Sequence, residues 1–571
     1  MNTEIVEQTL ARFKSMKAAR ATADSLWQEI AEMVHPRRAD FTGARAFGGK
    51  RTERIFDGTP VLAMRQLAAT IDGMIKPKTT DWFTIKSEDE TLNADTDAKL
   101  WLEAVEKRMR AAIYAPAARF QQRSGEVDRD LIAFGNGVLL IEQNQRGDGL
   151  VFRACPLRDC YFAENADGDI DTVFRSLRLS AHAAVRMFGR GKVGRDVREA
   201  AEEGGDNAER PFEFLHAVMP RAVRDPSRRD NGNLPFASLV IEVATGEAVG
   251  TSGYHEFPYA VPRWETATDS VYAGGPAELA LPDIKTLNAQ NRTNLKTGQM
   301  QADPPILIPN KGVKATRLIP GRATVYDADL FGPTSQSPVR PVLTGANLPV
   351  SLGMENQRRD MVWAMFLRNV LNLPMDAPQM TATEVLQRKE EFLRVIGPTF
   401  GRLETDYVAP IVERAFGIMM RAGMLPPPPA VLAGRGVRFV YASPVAKAQK
   451  AIDLAAAART VEAIAPFAAN DPSVLDNFDV DRIARDSAEG FGMPQHWLRP
   501  ADEVSAIRQA RQQAADAAQA VDDAQKIAAA IPKVAPLLTG MRGHDFTGAG
   551  PGSPGFSNTT GDVVPPTAEG G

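Results

Sequence analysis

The amino-acid sequence predicts an α+β fold. Apolar residues recur at helical spacing through most of residues 5–133, short apolar runs separated by turn signals fill residues 136–263, and helical spacing returns at residue 282. A β-rich region that follows a helical one is typical of this class. The length of 571 residues leaves room for several domains and a large core.

The N-terminal part is predicted to be mainly helical. Its first helix ends before Pro36, and its second begins at the start signal around Asp57 and ends at Pro77. The predicted elements are helices over residues 5–35, 54–77 and 95–133 and a strand over residues 81–87.

Two turns mark the β-rich region. Gly147-Asp148-Gly149 separates two apolar runs between residues 136 and 157, and Asp167-Gly168 does the same between residues 161 and 180. Turn residues of this kind between apolar runs predict β-hairpins. Further strands are predicted over residues 211–223, 236–246 and 249–263.

Two unusually polar helices are predicted next. The first covers residues 282–301, with Pro282 in its first turn, and its thin apolar stripe consists of Ile284, Leu287 and Leu295. The second covers residues 351–370 and is polar in its first half and apolar in its second. Because so polar a helix is rarely stable alone, we expect it to pack beside copies of itself with one face wet.

Proline and glycine shape the segments around these helices. Residues 303–343 are expected to form short strands and turns and no long helix, and residues 372–380 are expected to form a loop. Thr381 and Glu384 have the spacing of a capping box, and Pro410 is expected to bend a helix over residues 400–421.

The C-terminal part is predicted from composition. Residues 446–534 are Ala-rich and have helical spacing, whereas the last residues are rich in Gly, Pro, Ser and Thr and are expected to be disordered.

Bulk properties exclude several classes of protein. The formal net charge of −4 argues against a chain that grips nucleic acid tightly, but not against one that nucleic acid passes. Cys155 and Cys160, the only cysteines, lack the spacing of a zinc or redox site and are expected to be reduced. We expect neither a membrane span nor a secretory signal, so the product should stay where it is made.

Three motifs approach a catalytic or metal-binding pattern and fall short of it. "GARAFGGKR" has Ala44 and Arg51 where a phosphate-binding loop needs Gly and Ser or Thr. "HEFPY" lacks the second histidine of a zinc protease, and "NADGDID" has Ile170 where a calcium loop needs Gly. We therefore predict no catalytic residue, no metal site and no cofactor.

The order of several blocks resembles the portal (head-to-tail connector) proteins of short-tailed bacteriophages. These blocks are "DGTPVLAMRQLAATIDGMIKPKTTDWF" (57–83), "AFGNGVLLIE" (133–142), "ADGDIDTVFR" (166–175), "SVYAGGPAELALPDIKTLNAQNRTNLKTGQMQADPPILIP" (270–309), the segment 380–429 and "VRFVYASPVAKAQ" (437–449). Each block is modestly specific, but their collinear order over residues 20–500 is a strong signal.

The resemblance implies a phage portal fold with wing, stem, clip and crown, which assembles into a ring of about twelve subunits around a central channel. It also implies a non-enzymatic protein. The implied regions are a wing (1–275), a stem helix (276–302), a clip (303–345), a second stem helix (346–371), a tunnel loop (372–380), wing helices and connector (381–445), a crown (446–535) and a disordered tail (536–571).

The resemblance also implies sites and partners. The residues expected to line the channel and face DNA are Arg292, Lys296, Arg358, Arg359, Asn372, Met375, Asp376, Gln379 and Met380. The residues expected to dock the motor or tail on the clip are Lys311, Lys314, Arg317, Arg322, Tyr326, Asp327 and Asp329.

The expected partners are further copies of the chain, the terminase large subunit, scaffolding and major capsid proteins, tail or adaptor proteins, and double-stranded DNA passing without sequence readout. The expected location is the portal vertex of the virion, and the host cytoplasm during assembly. An acidic ring would release DNA readily, because its summed charge repels phosphate at long range.

Alternatives remain at this stage. The four basic stem residues would instead form ion pairs between subunits if they lie on lateral faces, and Trp363 and Phe366 are more simply explained as core residues. The rival functions are a scaffolding or internal virion protein without a channel and, less in keeping with the missing phosphate loop, a packaging ATPase or nuclease.

Overall fold

The computed structural model describes most of the first 441 residues and parts of the rest. The described ranges are residues 3–43, 48–93, 95–222, 224, 227, 230–302, 306–307, 340–341, 348–368, 397–441, 456, 459–460, 462–464, 466, 477–490, 497–499 and 501–534. Residues 1–496 and 497–571 form separate compact units.

The helices that precede and cover the β-rich region agree largely with the sequence predictions. They are α1 (Thr3–Ala19), α2 (Ala21–Met33), α3 (Thr59–Ile75), α4 (Thr96–Ile113) and α5 (Phe120–Phe134). The predicted first helix is divided at Arg20, and the helical stretch 95–133 is divided at a short 3-10 turn, Pro116–Ala118. Proline explains this second division because it has no N–H to continue the helix.

An antiparallel five-stranded sheet holds much of the β-rich region. Its strands, in both spatial and chain order, are β4 (Cys160–Glu164), β5 (Ile170–Ser180), β6 (Pro211–Pro220), β7 (Phe236–Glu242) and β8 (Glu247–Tyr254). The turn between β4 and β5 is the predicted one: Gly168 has φ 88°, and Asn165 Oδ1 accepts hydrogen bonds from the Asp167 and Asp169 amides at 2.9 Å each.

Helices cover this sheet. Val6 and Phe13 of α1 pack on Phe174, Leu215 and Ile241. A second cluster around Phe214 and Val249 includes α6 (Ala181–Phe188) and α7 (Arg195–Glu203), which α8 (Gly205–Ala208) follows. These three short helices were not predicted from the sequence.

Two smaller sheets join distant parts of the chain. One contains β2 (Leu139–Gln143), β3 (Leu150–Ala154) and β9 (Tyr259–Ala260), in the order β3-β2-β9. The other pairs β1 (Phe83–Ser87) with β12 (Val437–Tyr441), which lies in the last of the blocks quoted above, residues 437–449. The predicted strand 249–263 is thus two strands in different sheets. Two further short strands, β10 (Ile306–Leu307) and β11 (Arg340–Pro341), pair with each other.

The two polar helices begin earlier than predicted. Helix α9 (Pro276–Ala302) begins at Pro276, so the prediction of Pro282 as a first-turn residue is wrong. The preceding turns of α9 are buried against the main core, and this packing offsets the hydrogen bond that Pro282 cannot donate. Helix α10 (Leu348–Met365) follows.

The helix predicted around Pro410 is irregular where expected. Residues 397–421 are helical, with a π-turn over Glu404–Val408 immediately before α11 (Ala409–Arg421). Because Pro410 has no N–H, the wider π-turn accommodates the missing donor. The C-terminal helices are α12 (Val480–Gly490) and, in the second unit, α13 (Ala501–Val534). No helix within the described ranges has both the length and the apolar character needed to cross a membrane.

Candidate functional site: the paired helices α9 and α10

Helices α9 and α10 lie antiparallel and are joined by polar side chains. Near the start of α9, Asp283 pairs with Arg358 at 2.9 Å. Further along, Asn294 Nδ2 donates to Glu355 Oε1 at 2.6 Å, and Asn294 Oδ1 accepts from Ser351 Oγ at 2.7 Å. Because residue numbers rise on one helix as they fall on the other, the contacts fix an antiparallel hairpin. We call these residues, with Gln290, the seam.

The seam is satisfied internally and is partly buried. The Glu355 side chain is only 2 % exposed and receives hydrogen bonds from Asn294 and Arg359. Burying a carboxylate costs free energy unless it is paired and hydrogen-bonded, and both conditions hold here. The polarity of these helices therefore serves contact within the chain as well as contact with water.

Asp57 connects the hairpin to α3. Its side chain is buried, accepts from the Thr59 amide at 2.8 Å at the start of α3, pairs with Arg359 at 2.8 Å and accepts from Asn291 at 3.1 Å. Burial alone raises the pKa of Asp57, but the hydrogen bonds from Thr59 and the Arg359 guanidinium outweigh it and hold the pKa below its usual value. One carboxylate thus fastens α9, α10 and α3 together.

A second link runs through Asn288. Its Oδ1 accepts from the Phe56 amide at 2.7 Å, and its Nδ2 donates to the Arg54 carbonyl at 2.9 Å. Arg292, one turn further along α9, lies over the Phe56 ring at 5.6 Å. The backbone before α3 is therefore held against α9 at two successive turns.

The basic stem residues of the sequence analysis separate into two groups. Arg358 and Arg359 are half-buried and form the ion pairs described above, whereas Arg292 and Lys296 are exposed. The remaining predicted site residues, in the tunnel loop (372–380) and the clip (311–329), lie outside the described residues, as does the predicted capping box.

Sequence reasoning missed the acidic and amide partners of this site. Asp57 was predicted only as a helix-start signal, and no pairing role was predicted for Asp283, Asn294 or Glu355. The contacts that reveal these roles join residues 57 to 302 positions apart along the chain. The alternation of Asn and Gln along residues 288–294 was the available signal, since amides can both donate and accept within a helix pair.

Apolar residues hold the far end of α10. Phe366 is buried in the main core, and Trp363 packs against it with Arg368 over its ring at 4.5 Å. The explanation of these two aromatic residues as core residues is confirmed. Elsewhere both helices carry exposed apolar side chains, which are Leu279, Leu295, Met300, Val350, Leu352, Met354 and Met361.

The "HEFPY" motif, which approaches a zinc-protease pattern, has a structural role. Glu256 of "HEFPY" pairs with Arg414 at 2.5 Å and with Arg421, linking the turn before β9 to α11. Among the described residues, no group of three or more His, Cys, Asp or Glu side chains is placed to hold a metal ion. Cys155 and Cys160 are free and buried.

A buried ion pair lies in the core beneath α3. Lys76 Nζ contacts Asp128 Oδ1 at 2.7 Å, both side chains are fully buried, and the Tyr407 ring lies 4.2 Å from the ammonium group. Burial raises the pKa of Asp128 to about 6 despite the nearby Lys76. This pair joins α3, α5 and the π-turn, which are far apart in sequence.

Comparison with known proteins identifies the family of this chain. The family described as bacteriophage head to tail connecting protein matches residues 6–498. The portal protein of Salmonella phage epsilon15 is 29% identical over 524 residues, which cover 90% of this chain and 92% of that protein. The probable portal protein of Bordetella phage BPP-1 is 29% identical over 540 residues, or 91% and 94% of the two chains.

The match extends from α1 to the residues before α13 and includes the whole α9–α10 hairpin with its junction to α3. Proteins of this family are structural components of the virion and not enzymes. The chain belongs to the bacteriophage head-to-tail connecting proteins and is a portal-vertex protein.

Proposed function

We propose that copies of this chain form a closed ring of about twelve subunits, through whose channel double-stranded DNA enters and leaves the capsid. The observation that carries the proposal is the α9–α10 hairpin, a stiff pair of helices locked by the seam and fastened to α3 through Asp57. A rigid hairpin repeated around an axis makes a wall that keeps its diameter while DNA moves past it.

Each region around the hairpin has a role in the proposed ring. Residues 303–345 between the two helices form the clip, on which the terminase large subunit and later the tail or adaptor proteins dock. Residues 372–380 form the tunnel loop, the α+β part and residues 381–445 form the wing, and residues 446–535 form the crown. Scaffolding and major capsid proteins contact the ring during assembly in the host cytoplasm.

Contact between stem and DNA rests on exposed cations. Arg358 and Arg359 already neutralise Asp283, Asp57 and Glu355, so a phosphate would have to displace carboxylates to reach them. Arg292 and Lys296 are exposed. In the proposed ring they lie either on the channel wall, where they would make transient, sequence-independent contacts with phosphate, or at the boundary with a neighbouring subunit.

Electron microscopy of the purified protein viewed along its axis tests the ring. Closed rings with a central hole are expected, and asymmetric or filamentous particles would instead support a scaffolding or internal virion protein. Purified rings should hydrolyse neither ATP nor DNA, and robust turnover would support the enzyme alternative.

Two variants test the regions. Deletion of residues 310–335 should leave rings intact and abolish binding of the terminase, whereas loss of rings would show that the clip boundary is misplaced. The double reversal Arg292→Glu/Lys296→Glu should reduce DNA packaging by intact rings if these residues line the channel, and should prevent ring formation if they lie at the subunit boundary.

A further inference from the structure

The side of α10 that faces away from α9 carries one acidic residue without a partner in the described part of the chain. Asp360 is exposed and forms no ion pair with any described residue. It lies nine residues after Ser351 of the seam, which is two and a half helical turns or about 180° around α10. Asp360 therefore points away from its own α9.

The corresponding side of α9 is basic. Lys285 lies nine residues before Asn294 of the seam, and Arg292 lies nine residues after Asp283, so both project away from α10 by the same rule. Lys285 is exposed and pairs with the exposed carboxylate of Glu29, and Arg292 lies over Phe56. The two outer flanks of the hairpin thus have opposite charge.

Gly353 gives an independent sign of a close neighbour. It lies within α10, seven residues before Asp360 and on the same flank. Apart from its two chain neighbours and the nearby backbone of its own helix, no atom of the described chain lies within 4 Å of the position that a Cβ would occupy. Glycine inside an exposed helix costs about 1 kcal/mol relative to alanine. No contact in the described chain requires glycine at this position, but the close approach of another helix would require it.

The two flanks also match in height. Within one hairpin, Asn294 is level with Ser351. In the same antiparallel register, Lys285 is level with Asp360, and Arg292 is level with Gly353. If the ring axis of the proposed assembly is roughly parallel to these helices, rotation about it leaves these heights unchanged. Asp360 would then lie level with Lys285 of a neighbouring copy, and Gly353 with its Arg292.

We infer that the flank of α10 formed by Gly353 and Asp360 packs against the flank of α9 formed by Lys285 and Arg292 in the next copy of the chain. The contact is head-to-tail, so each copy offers one flank to each neighbour and a closed ring leaves neither flank free. This inference rests on the proposed ring and adds to it the surface and the ion pair through which its stem is built. It assigns Arg292 to the subunit boundary.

A charge exchange tests the ion pair in the full-length protein. Asp360→Lys and Lys285→Asp should each raise the concentration needed for half-maximal ring assembly by roughly tenfold or more, because like charges then face each other at every boundary. The double variant Asp360→Lys/Lys285→Asp should recover most of the loss. Glu7→Lys, an equal change of charge on exposed α1, should assemble like the parent protein.

Gly353→Leu tests the close approach independently of charge and of folding. Leucine favours the helix, so the variant subunit should melt at the same temperature as the parent or higher, while ring assembly is lost. Sedimentation and native mass spectrometry measure assembly, and thermal unfolding measures the fold.

The outcomes separate this inference from the proposed function. If the parent protein forms rings but the single charge variants and Gly353→Leu assemble normally, this surface is wrong and the ring stands. This surface is also wrong, and the ring stands, if the double variant assembles no better than the single variant that assembles less well. If the parent protein forms no ring under any condition, both proposals fail.

Discussion

Arg359 of α10 pairs with Asp57, which lies two residues before α3, at a distance of 2.8 Å, although 302 positions separate the two along the chain. The Asp57 side chain is 5 % exposed, and it also accepts a hydrogen bond from the amide of Thr59, the first residue of α3. Among the described residues, Arg359 is the only cation that pairs with Asp57. This ion pair fixes the hairpin to the helical part of the α+β region.

Replacement of this arginine should destabilise the fold. Arg359→Ala leaves the Asp57 and Glu355 carboxylates buried with only neutral donors, and a loss of about 2–4 kcal/mol in the free energy of unfolding is expected. Chemical denaturation measures it. Lys296→Ala, on the exposed part of the same hairpin, is the control and should change stability by less than about 0.5 kcal/mol. If Arg359→Ala lowers the free energy of unfolding no more than the control does, the Arg359–Asp57 pair contributes nothing to stability.

The Arg358–Asp283 pair should behave as an exchangeable contact within one chain. Arg358→Glu places two carboxylates together near one end of the hairpin and should cost about 1–2 kcal/mol of stability. The exchange Arg358→Glu/Asp283→Arg should restore most of it, and thermal unfolding of each variant at low salt measures the effect. If the double variant were less stable than both singles, the two side chains would not be partners in solution.

The buried Lys76–Asp128 pair should be sensitive to the loss of one partner. Lys76→Met leaves Asp128 charged or protonated in an apolar core, and about 3–5 kcal/mol of stability should be lost. Replacement of both, as Lys76→Met/Asp128→Leu, should recover much of this loss because no buried charge remains. Lys78→Met, two residues along and exposed, is the control. Equal stability of Lys76→Met and Lys78→Met would contradict the buried geometry.

Glu106 should make stability depend on pH near neutrality. Burial raises its pKa to about 7 while its Oε1 accepts the Ile85 amide at 2.6 Å. Because the folded-state pKa lies above the ordinary value, its contribution to stability is fully present below about pH 4.5 and is lost as the pH rises through 7.

Glu106→Gln keeps the acceptor for Ile85 and removes the titration. At pH 8 the variant should therefore be more stable than the parent protein by about 1–2 kcal/mol, and near pH 5 the two should differ little. Urea unfolding at pH 5, 6, 7 and 8 measures the difference, with Glu7→Gln on α1 as the control. Parallel pH profiles for Glu106→Gln and the parent protein would rule out a shifted Glu106.

Much of the local structure was readable from the chain. The Asp167-Gly168 turn was predicted because a β-hairpin of this kind needs a residue that tolerates positive φ, and the irregular helix near Pro410 because proline cannot donate a hydrogen bond. The collinear blocks of motifs identified the family. These features depend on residues that are neighbours in sequence.

The sequence by itself determined the class of the fold, the family and the two long polar helices. The tertiary structure decided what that polarity does. Arg358 and Arg359 looked available for DNA, but Asp283, Asp57 and Glu355 occupy them, and Pro282 lies inside α9 because core packing offsets its missing donor. In the same way, β12 pairs with β1, from Phe83 opposite Tyr441 to Ser87 opposite Val437, although most of the described chain lies between them. Periodicity reports which face of a helix is polar, whereas the partner of each polar group is set by which distant segments the folded core brings within a few ångströms.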